Sequence, residues 1–239
     1  MKMFRKYSCI ALLMGLLFLG CNPTTKSVLC QPATKVTTDA GVTSTQTYFY
    51  DGGLLKSMQT VTGSGSYSTL YQYDTQGDLG KMIINMSGQT YTTSYTYDSK
   101  HYVVASLSTN SGDTIRTNYY YNENGQLTRR LTLQQLGAAV PDTLRYNYEY
   151  PDPLTRNPAS ITTITELDTT IVHYEYDDKI NPERGLVLPT IQPYNNITRY
   201  VSDALTYTIS YQYNSNGYPI SAIQSNGVTR TWTYSCKEF

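Results

Sequence analysis

A tyrosine-based repeat constrains this chain more than any other feature. Tyrosine supplies 25 of the 239 residues, and the tyrosines are regularly placed. One copy reads Tyr71-Gln72-Tyr73-Asp74-Thr75-Gln76-Gly77-Asp78-Leu79, and another Tyr119-Tyr120-Tyr121-Asn122-Glu123-Asn124-Gly125-Gln126-Leu127. A third begins at Tyr211 and runs through Tyr213, Asn214 and Gly217 to Ile220, and looser copies start at Tyr48, Tyr95, Tyr148 and Tyr174. The second tyrosine stands at 50, 73, 97, 121, 150, 176 and 213, and the first three intervals are 23, 24 and 24 residues. A near-constant interval means one supersecondary unit used repeatedly.

Each unit reads as a hairpin. From Leu205 to Tyr213 the sequence alternates without a break: Leu205, Tyr207, Ile209, Tyr211 and Tyr213 on one face, Thr206, Thr208, Ser210 and Gln212 on the other. Leu144, Tyr146, Tyr148 and Tyr150 repeat this, as do Val228, Trp232 and Tyr234. Period two with aromatic and β-branched residues predicts strands, and one polar face predicts antiparallel pairing. The residue after the second tyrosine is suited to a turn. Asp74, Asp98, Asn122, Asp177 and Asn214 can accept hydrogen bonds from the backbone two residues on. Gly77, Gly125 and Gly217 supply a positive φ in the same turns. Ser87-Gly88, Ser111-Gly112 and Asn226-Gly227 mark tight turns at the opposite ends of the strands. No segment after the first 20 residues has a helical period. The chain is therefore predicted to be all-β, a long antiparallel meander of hairpin repeats.

The N-terminus carries an address. Lys2, Arg5 and Lys6 precede an apolar run from Ile10 to Leu19, which ends at Gly20-Cys21. A basic start, a short apolar core and a small residue before the cut make a secretory signal. Phe18-Leu19-Gly20-Cys21 resembles a lipobox, so residues 1–20 are read as the signal and Cys21 as the lipidated first residue of the mature protein. Acyl chains on Cys21 would anchor it to a membrane. Residues 21–42 are Thr- and Pro-rich and read as a tether, with a single β domain over 43–239. Cys30 and Cys236 are then the remaining pair in an oxidising compartment. A bridge between them is possible, and two free thiols are the alternative.

Prolines at 151, 153 and 158 bound one break in the repeat, and a longer irregular loop spans 177–196. Asp177, Asp178 and Glu183 cluster there, and paired carboxylates can bind calcium or cleave glycosides. Asp177, however, stands at the turn-capping position of the repeat, and structural capping is the favoured reading of it. Of the two histidines, His101 stands at a repeat turn and His173 shares a strand face with Glu175 but has no third metal ligand, and no nucleophile elbow, zinc helix or phosphate loop is present. No metal or cofactor is expected. The charge balance is near neutral, with no basic cluster interleaved with aromatics, which argues against nucleic acid as a partner.

The Tyr-x-Tyr-Asp-x-x-Gly-x-Leu units resemble YD repeats, the units of Rhs-type shell proteins. Tyr176-Asp177-Asp178-Lys179-Ile180-Asn181-Pro182, with Asn195-Asn196 after it, resembles a sequence in a family of Bacteroidota lipoproteins of unknown function. That resemblance implies a lipid-anchored, rolled antiparallel sheet and implies no activity. Strand twist curls a long meander, and curling buries the tyrosine face. The expected shape is a half-barrel or cup with tyrosines inside and Thr/Ser outside, its hydroxyls forming a network or a wet groove. The expected function is a non-catalytic binding or scaffold role in the envelope. A periplasmic carrier for an amphiphile and a glycan-active enzyme using the loop carboxylates are the alternatives. Possible partners are a glycan, an amphiphile or an envelope protein. The absence of acidic residues after Cys21 favours the periplasmic face of the outer membrane over the cell surface.

Overall fold

The computed structural model describes residues 28–137, 142–184, 186 and 193–238. The signal and Cys21 lie outside the described residues. Sixteen strands follow one another in chain order: β1 (Val28–Asp39), β2 (Val42–Asp51), β3 (Leu54–Thr62), β4 (Gly65–Tyr73), β5 (Leu79–Met86), β6 (Gln89–Tyr97), β7 (Val103–Asn110) and β8 (Asp113–Tyr121). Then come β9 (Leu127–Gln135), β10 (Asp142–Glu149), β11 (Ser160–Ile164), β12 (Thr169–Ile180), β13 (Asn195–Val201), β14 (Thr206–Tyr213), β15 (Pro219–Gln224) and β16 (Thr229–Glu238). Every strand pairs antiparallel with its sequence neighbours, and β1 pairs with β16, so the sheet is a closed barrel. Among the described residues there is no helix.

Three expectations are corrected. The half-barrel or cup is a closed barrel, and its seam runs from Val28↔Glu238 to Thr38↔Thr229. The tether ends earlier than residue 42, because Val28–Asp39 is the first strand of the barrel and the domain begins there. Its low apolar content hid this, but a strand facing water on one side needs few apolar residues. The irregular loop is also shorter than 177–196. Strand β12 runs through Ile180, and Ile180 pairs with Asn195 at the start of β13. Asp177 and Asp178 therefore belong to a strand and not to a loop.

Recurrent bulges supply a physical reason for closure. The register shifts at Phe49/Tyr50, Gln72/Tyr73, Thr96/Tyr97, Tyr120/Tyr121, Glu175/Tyr176 and Gln212/Tyr213, each at the second tyrosine of a repeat, with a further shift at Pro32/Thr34 on β1. A bulge bends its strand and increases local twist. Repeated at one level around the ring, it curls the sheet until its edges meet. Closure then removes the exposed edges that a cup would keep. At the other end, Met86↔Gln89 and Asn110↔Asp113 close two-residue turns. Ser87-Gly88 and Ser111-Gly112 take positive φ at both positions, 50° and 78° in the first and 35° and 106° in the second. That is the conformation whose twist matches the flanking strands.

The two faces of the wall differ sharply. The inner face holds a cluster of Tyr48, Leu55, Tyr71, Leu79, Val103, Tyr119 and Leu127, with Tyr95, Tyr97, Tyr121 and Tyr148 packed on it. The outer face can be read row by row from the register. One row runs Gln72–Lys81–Ser94–Leu107–Arg116–Leu133–Thr143 around β4 to β10. Another runs Gln212–Ser221–Thr231–Val36–Thr45–Val61–Ser66 across the seam. Aliphatic residues on these rows are separated by hydroxyl, amide or charged side chains.

Candidate binding site

Sixteen strands spaced about 4.8 Å apart enclose a perimeter of roughly 77 Å measured across the strands. A barrel of that strand number can hold an open lumen. Here much of one end is filled by tyrosine rings, and their hydroxyls answer to a simple rule. Tyr73, Tyr97, Tyr121 and Tyr176 donate to the carbonyls of Leu55, Leu79, Val103 and Pro158 at 2.9, 2.9, 3.0 and 2.9 Å. The acceptor lies 18 residues earlier in each case. Tyr150, Tyr211 and Tyr234 do the same to Leu127, Ile197 and Pro219. Each of these tyrosines, at or near the end of its strand, reaches back to the start of the preceding strand or just before it. Beside the expected alternatives of a hydroxyl network or a wet groove stands a third arrangement: Tyr48, Tyr91 and Tyr213 donate to side chains, but seven hydroxyls are held by backbone carbonyls. Such a hydrogen bond contributes about 1 kcal/mol net, and leaving its carbonyl unpaired costs about as much again. Tyr97→Phe is expected to lower stability by about 1–2 kcal/mol, measured as a shift of the urea midpoint at unchanged slope.

The turn residues cap the same end. Asp74 Oδ1 accepts from the backbone of Gln76 and Asp78 at 2.8 and 2.9 Å. Asp98 Oδ1 accepts from Lys100 and Tyr102, Asn122 Oδ1 from Asn124 and Gln126, and Asn214 Oδ1 from Asn216 and Tyr218. Gly77, Gly125 and Gly217 sit at φ of 89°, 75° and 78°. His101 occupies the equivalent position in the Asp98 turn at φ 62°. Its Nδ1 lies 2.6 Å from Asp78 Oδ2 on the neighbouring turn. The hydrogen bond and charge of Asp78 raise the His101 pKa above its ordinary value.

Asp177 is the same device adapted to hold a loop. Its Oδ1 accepts from the backbone of Lys179 and Asn196, and its Oδ2 accepts from Asn196 Nδ2 and the Tyr213 hydroxyl. Asn181 Oδ1 receives the Glu183 amide, and Asn181 Nδ2 donates to the Pro193 carbonyl. Asn157 Oδ1 receives the amides of Tyr194 and Asn195, while Asn157 Nδ2 donates to Asn195 Oδ1. The Tyr-Asp-x-Lys-x-Asn-Pro stretch and Asn195-Asn196 thus clamp the neck of the 181–194 connection. Asn157 completes the clamp from a Pro-rich break that carries no periodic signal in the sequence.

Glu183 and Leu186 of this connection reach the lumen. Glu183 Oε1 lies 2.5 Å from Lys35 Nζ on β1, with their side chains 30 % and 16 % exposed. Leu186 packs against the tyrosine-lined cluster. The three carboxylates considered for catalysis are therefore dispersed in their roles: Asp177 is a clamp, Glu183 is paired with Lys35, and Asp178 is 83 % exposed beside Lys179. His173 lies on the exposed outer face, and Glu175, on the same face, accepts from Arg199 at 2.7 Å. Among the described residues no group of three or more His, Cys, Asp or Glu could hold a metal ion. Cys30 and Cys236 face each other across the seam and form a disulfide.

At the turn end lies a cavity of about 390 Å³. Its wall includes Leu55, Leu79, Val103, Tyr50, Tyr73 and Tyr97, with Pro182, Arg184 and Leu186 of the inserted connection on one side. The Tyr50 hydroxyl is buried without a hydrogen-bond partner. Arg184 stacks over the Tyr194 ring, with Arg156 also facing that ring at 5.9 Å. Burial, then the nearby positive charge of Arg156, lowers the Arg184 pKa. Burial pushes Tyr97 up to about 12, with the charge of Asp78 adding to the effect.

A closed antiparallel barrel with a partly filled lumen is the class that this fold and site define. Its shape is similar to that of a porin-like protein from Bacteroides uniformis ATCC 8492, with a TM-score of 0.60 at 16 % identity, over 86 % of this chain and 98 % of that one. At that identity the likeness speaks for the fold alone. A TcdB2–TccC3–Cdc42 structure superposes at a TM-score of 0.26 and 12 % identity, over 82 % of this chain and 15 % of that one. That match is too loose to carry an argument. No protein-family model matches the chain. No curated protein matches it either.

Proposed function

We propose that this chain is a non-catalytic, lipid-anchored envelope protein whose barrel stands in water and binds a ligand or a partner. The composition of the outer face is the observation that carries this reading. A barrel embedded in a bilayer needs an outward apolar band about 25 Å tall. Two rows around this barrel interleave Thr, Ser, Gln, Lys and Arg with single aliphatics, and a third sets Leu70 beside Ile83 but continues through Thr92, Thr109 and Thr114, so burying them in lipid would desolvate many polar groups. The porin-like neighbour shares the fold, but these rows favour a water-side barrel held by Cys21. The repeat and the Asn181-Pro182 neck support kinship with lipoproteins built from YD-like units.

We place the protein at the outer membrane, on its periplasmic face. Cys21→Ser in the full chain is expected to move the protein from the membrane fraction to the soluble periplasmic fraction. Retention in the membrane without the acyl anchor would overturn the water-side reading. Protease added to intact cells is expected to spare the unaltered protein until the outer membrane is permeabilised, whereas cleavage on intact cells would put it on the surface. A carrier role for an amphiphile is the second reading, favoured by the apolar wall of the 390 Å³ cavity.

A further inference from the structure

We propose that the cavity at the turn end takes an anionic amphiphile, its apolar chain against Leu55, Leu79 and Val103 and its carboxylate or phosphate head on Arg184. This rests on the reading of the barrel as a water-side binding body and names the ligand class for it.

Three observations point the same way. First, the cavity is of a size that holds a small organic ligand: ligand pockets run from about 300 to 1,000 Å³, and this one is about 390 Å³. Its wall is largely aliphatic and aromatic. Second, its charged groups are unequally satisfied. Asp78 is already engaged by His101 at 2.6 Å. Glu183, next to Arg184 in sequence but outside the cavity wall, is engaged by Lys35 at 2.5 Å. Arg184 has no carboxylate within ion-pairing distance among the described residues, and it is held in place by stacking on Tyr194. Arg156 faces the same ring, so a second positive charge lies nearby with no acidic partner among the described residues. Third, the buried Tyr50 hydroxyl on the cavity wall is an unspent hydrogen-bond donor.

A partly desolvated guanidinium beside another guanidinium is costly unless an anion offsets it. Its planar fork matches a carboxylate or a phosphate with two parallel hydrogen bonds. A cationic amphiphile would meet Arg184 with like charge. An uncharged one would leave the guanidinium unpaired and, if it covered it, more poorly solvated. The site therefore prefers a negative head on an apolar body.

The test uses the full chain carrying Cys21→Ser, so that no acyl anchor competes for the cavity. Calorimetry compares decanoate, decyl phosphate, decanol and decyltrimethylammonium, each below its micelle concentration. Decanoate or decyl phosphate is expected to bind at least tenfold more tightly than decanol and more tightly still than the ammonium compound. Which of the two acids leads identifies the head group. Arg184→Gln is expected to bring the anion down to the level of decanol, while Arg199→Gln on the outer face leaves the preference intact. Circular dichroism checks that both variants keep the barrel. Equal binding of all four probes, no binding of any, or an anion preference that survives Arg184→Gln would overturn the proposal. If Cys21→Ser stays in the membrane, the water-side reading fails before any ligand is added. If it is soluble and shows no anion preference, only the ligand class fails.

Discussion

Replacing both seam cysteines, Cys30→Ser with Cys236→Ser, is expected to cost about 5 kcal/mol. The pair spans a sequence separation of 206 residues. In the chain-entropy model a crosslink restricts the unfolded chain by an amount that grows with the logarithm of the loop, and a loop of this length comes to about 5 kcal/mol. A domain has roughly 5–15 kcal/mol in total, so the loss is a large share of the whole. The folded state would change little at first, because β1 and β16 keep their ladder from Leu29↔Lys237 to Thr38↔Thr229. Trp232, the one tryptophan of the chain, is 7 % exposed on β16 and reports on this seam. Its emission followed in urea, with and without a reductant, gives both midpoints. A loss under about 1 kcal/mol would mean that the disulfide adds almost nothing to the ladder, with the unfolded chain already compact.

Alkali is expected to unfold the barrel cooperatively above pH 10. A tyrosine in an unfolded chain ionises near 10. Burial, with the adjacent Tyr73, pushes Tyr71 up to about 12. Burial likewise takes Tyr150 and Tyr211 to about 12, and it raises Tyr48, Tyr95 and Tyr176 as well. The direction follows from proton counting. Between pH 10 and 12 these tyrosines keep their protons in the fold and lose them in the unfolded chain, so the folded state binds more protons. Stability is then fully present below pH 10 and falls as pH rises through the window. A deeply buried tyrosine such as Tyr71, 4 % exposed, contributes at most about 1.4 kcal/mol per pH unit. Half-exposed ones contribute less because water screens their charge. Tyrosinate absorbance near 295 nm should therefore appear together with the loss of the strand signal in circular dichroism. Absorbance rising near pH 10 with the strands intact would show that water reaches the rings in the folded barrel.

The same tyrosines show how far the sequence could be read. Alternation in Leu205–Tyr213 and its counterparts set the inner and outer faces, because successive strand residues point to opposite sides. The spacing of Asp74, Asn122 and Asn214 before glycines located the turns, because an Asx side chain bonds amides close by in sequence. Those are local interactions. The backbone acceptor of each of the seven carbonyl-bound tyrosine hydroxyls lies 14 to 23 residues back, at or just before the start of the neighbouring strand, which no local pattern reports. In sequence Val28–Asp39 reads as a tether because Thr34, Thr37 and Thr38 belong to a polar stretch, and it is pairing with β16 on one side and β2 on the other that gives them a structural role.

The candidate site was less legible than the fold. Arg184, Tyr194, Arg156 and Asn157 stand in breaks of the repeat, where no period singles them out. Lys35 and Glu183 meet across 148 residues. What the sequence by itself determined is the all-β meander, the inward tyrosine face and the turn chemistry, since strand alternation and Asx turns act over a few residues. Tertiary structure alone decided that the meander closes, where the 181–194 connection goes, and which charges at the cavity are left without a partner. Closure depends on curvature summed over sixteen strands, and an unpaired charge is a relation among side chains that only the folded barrel brings together.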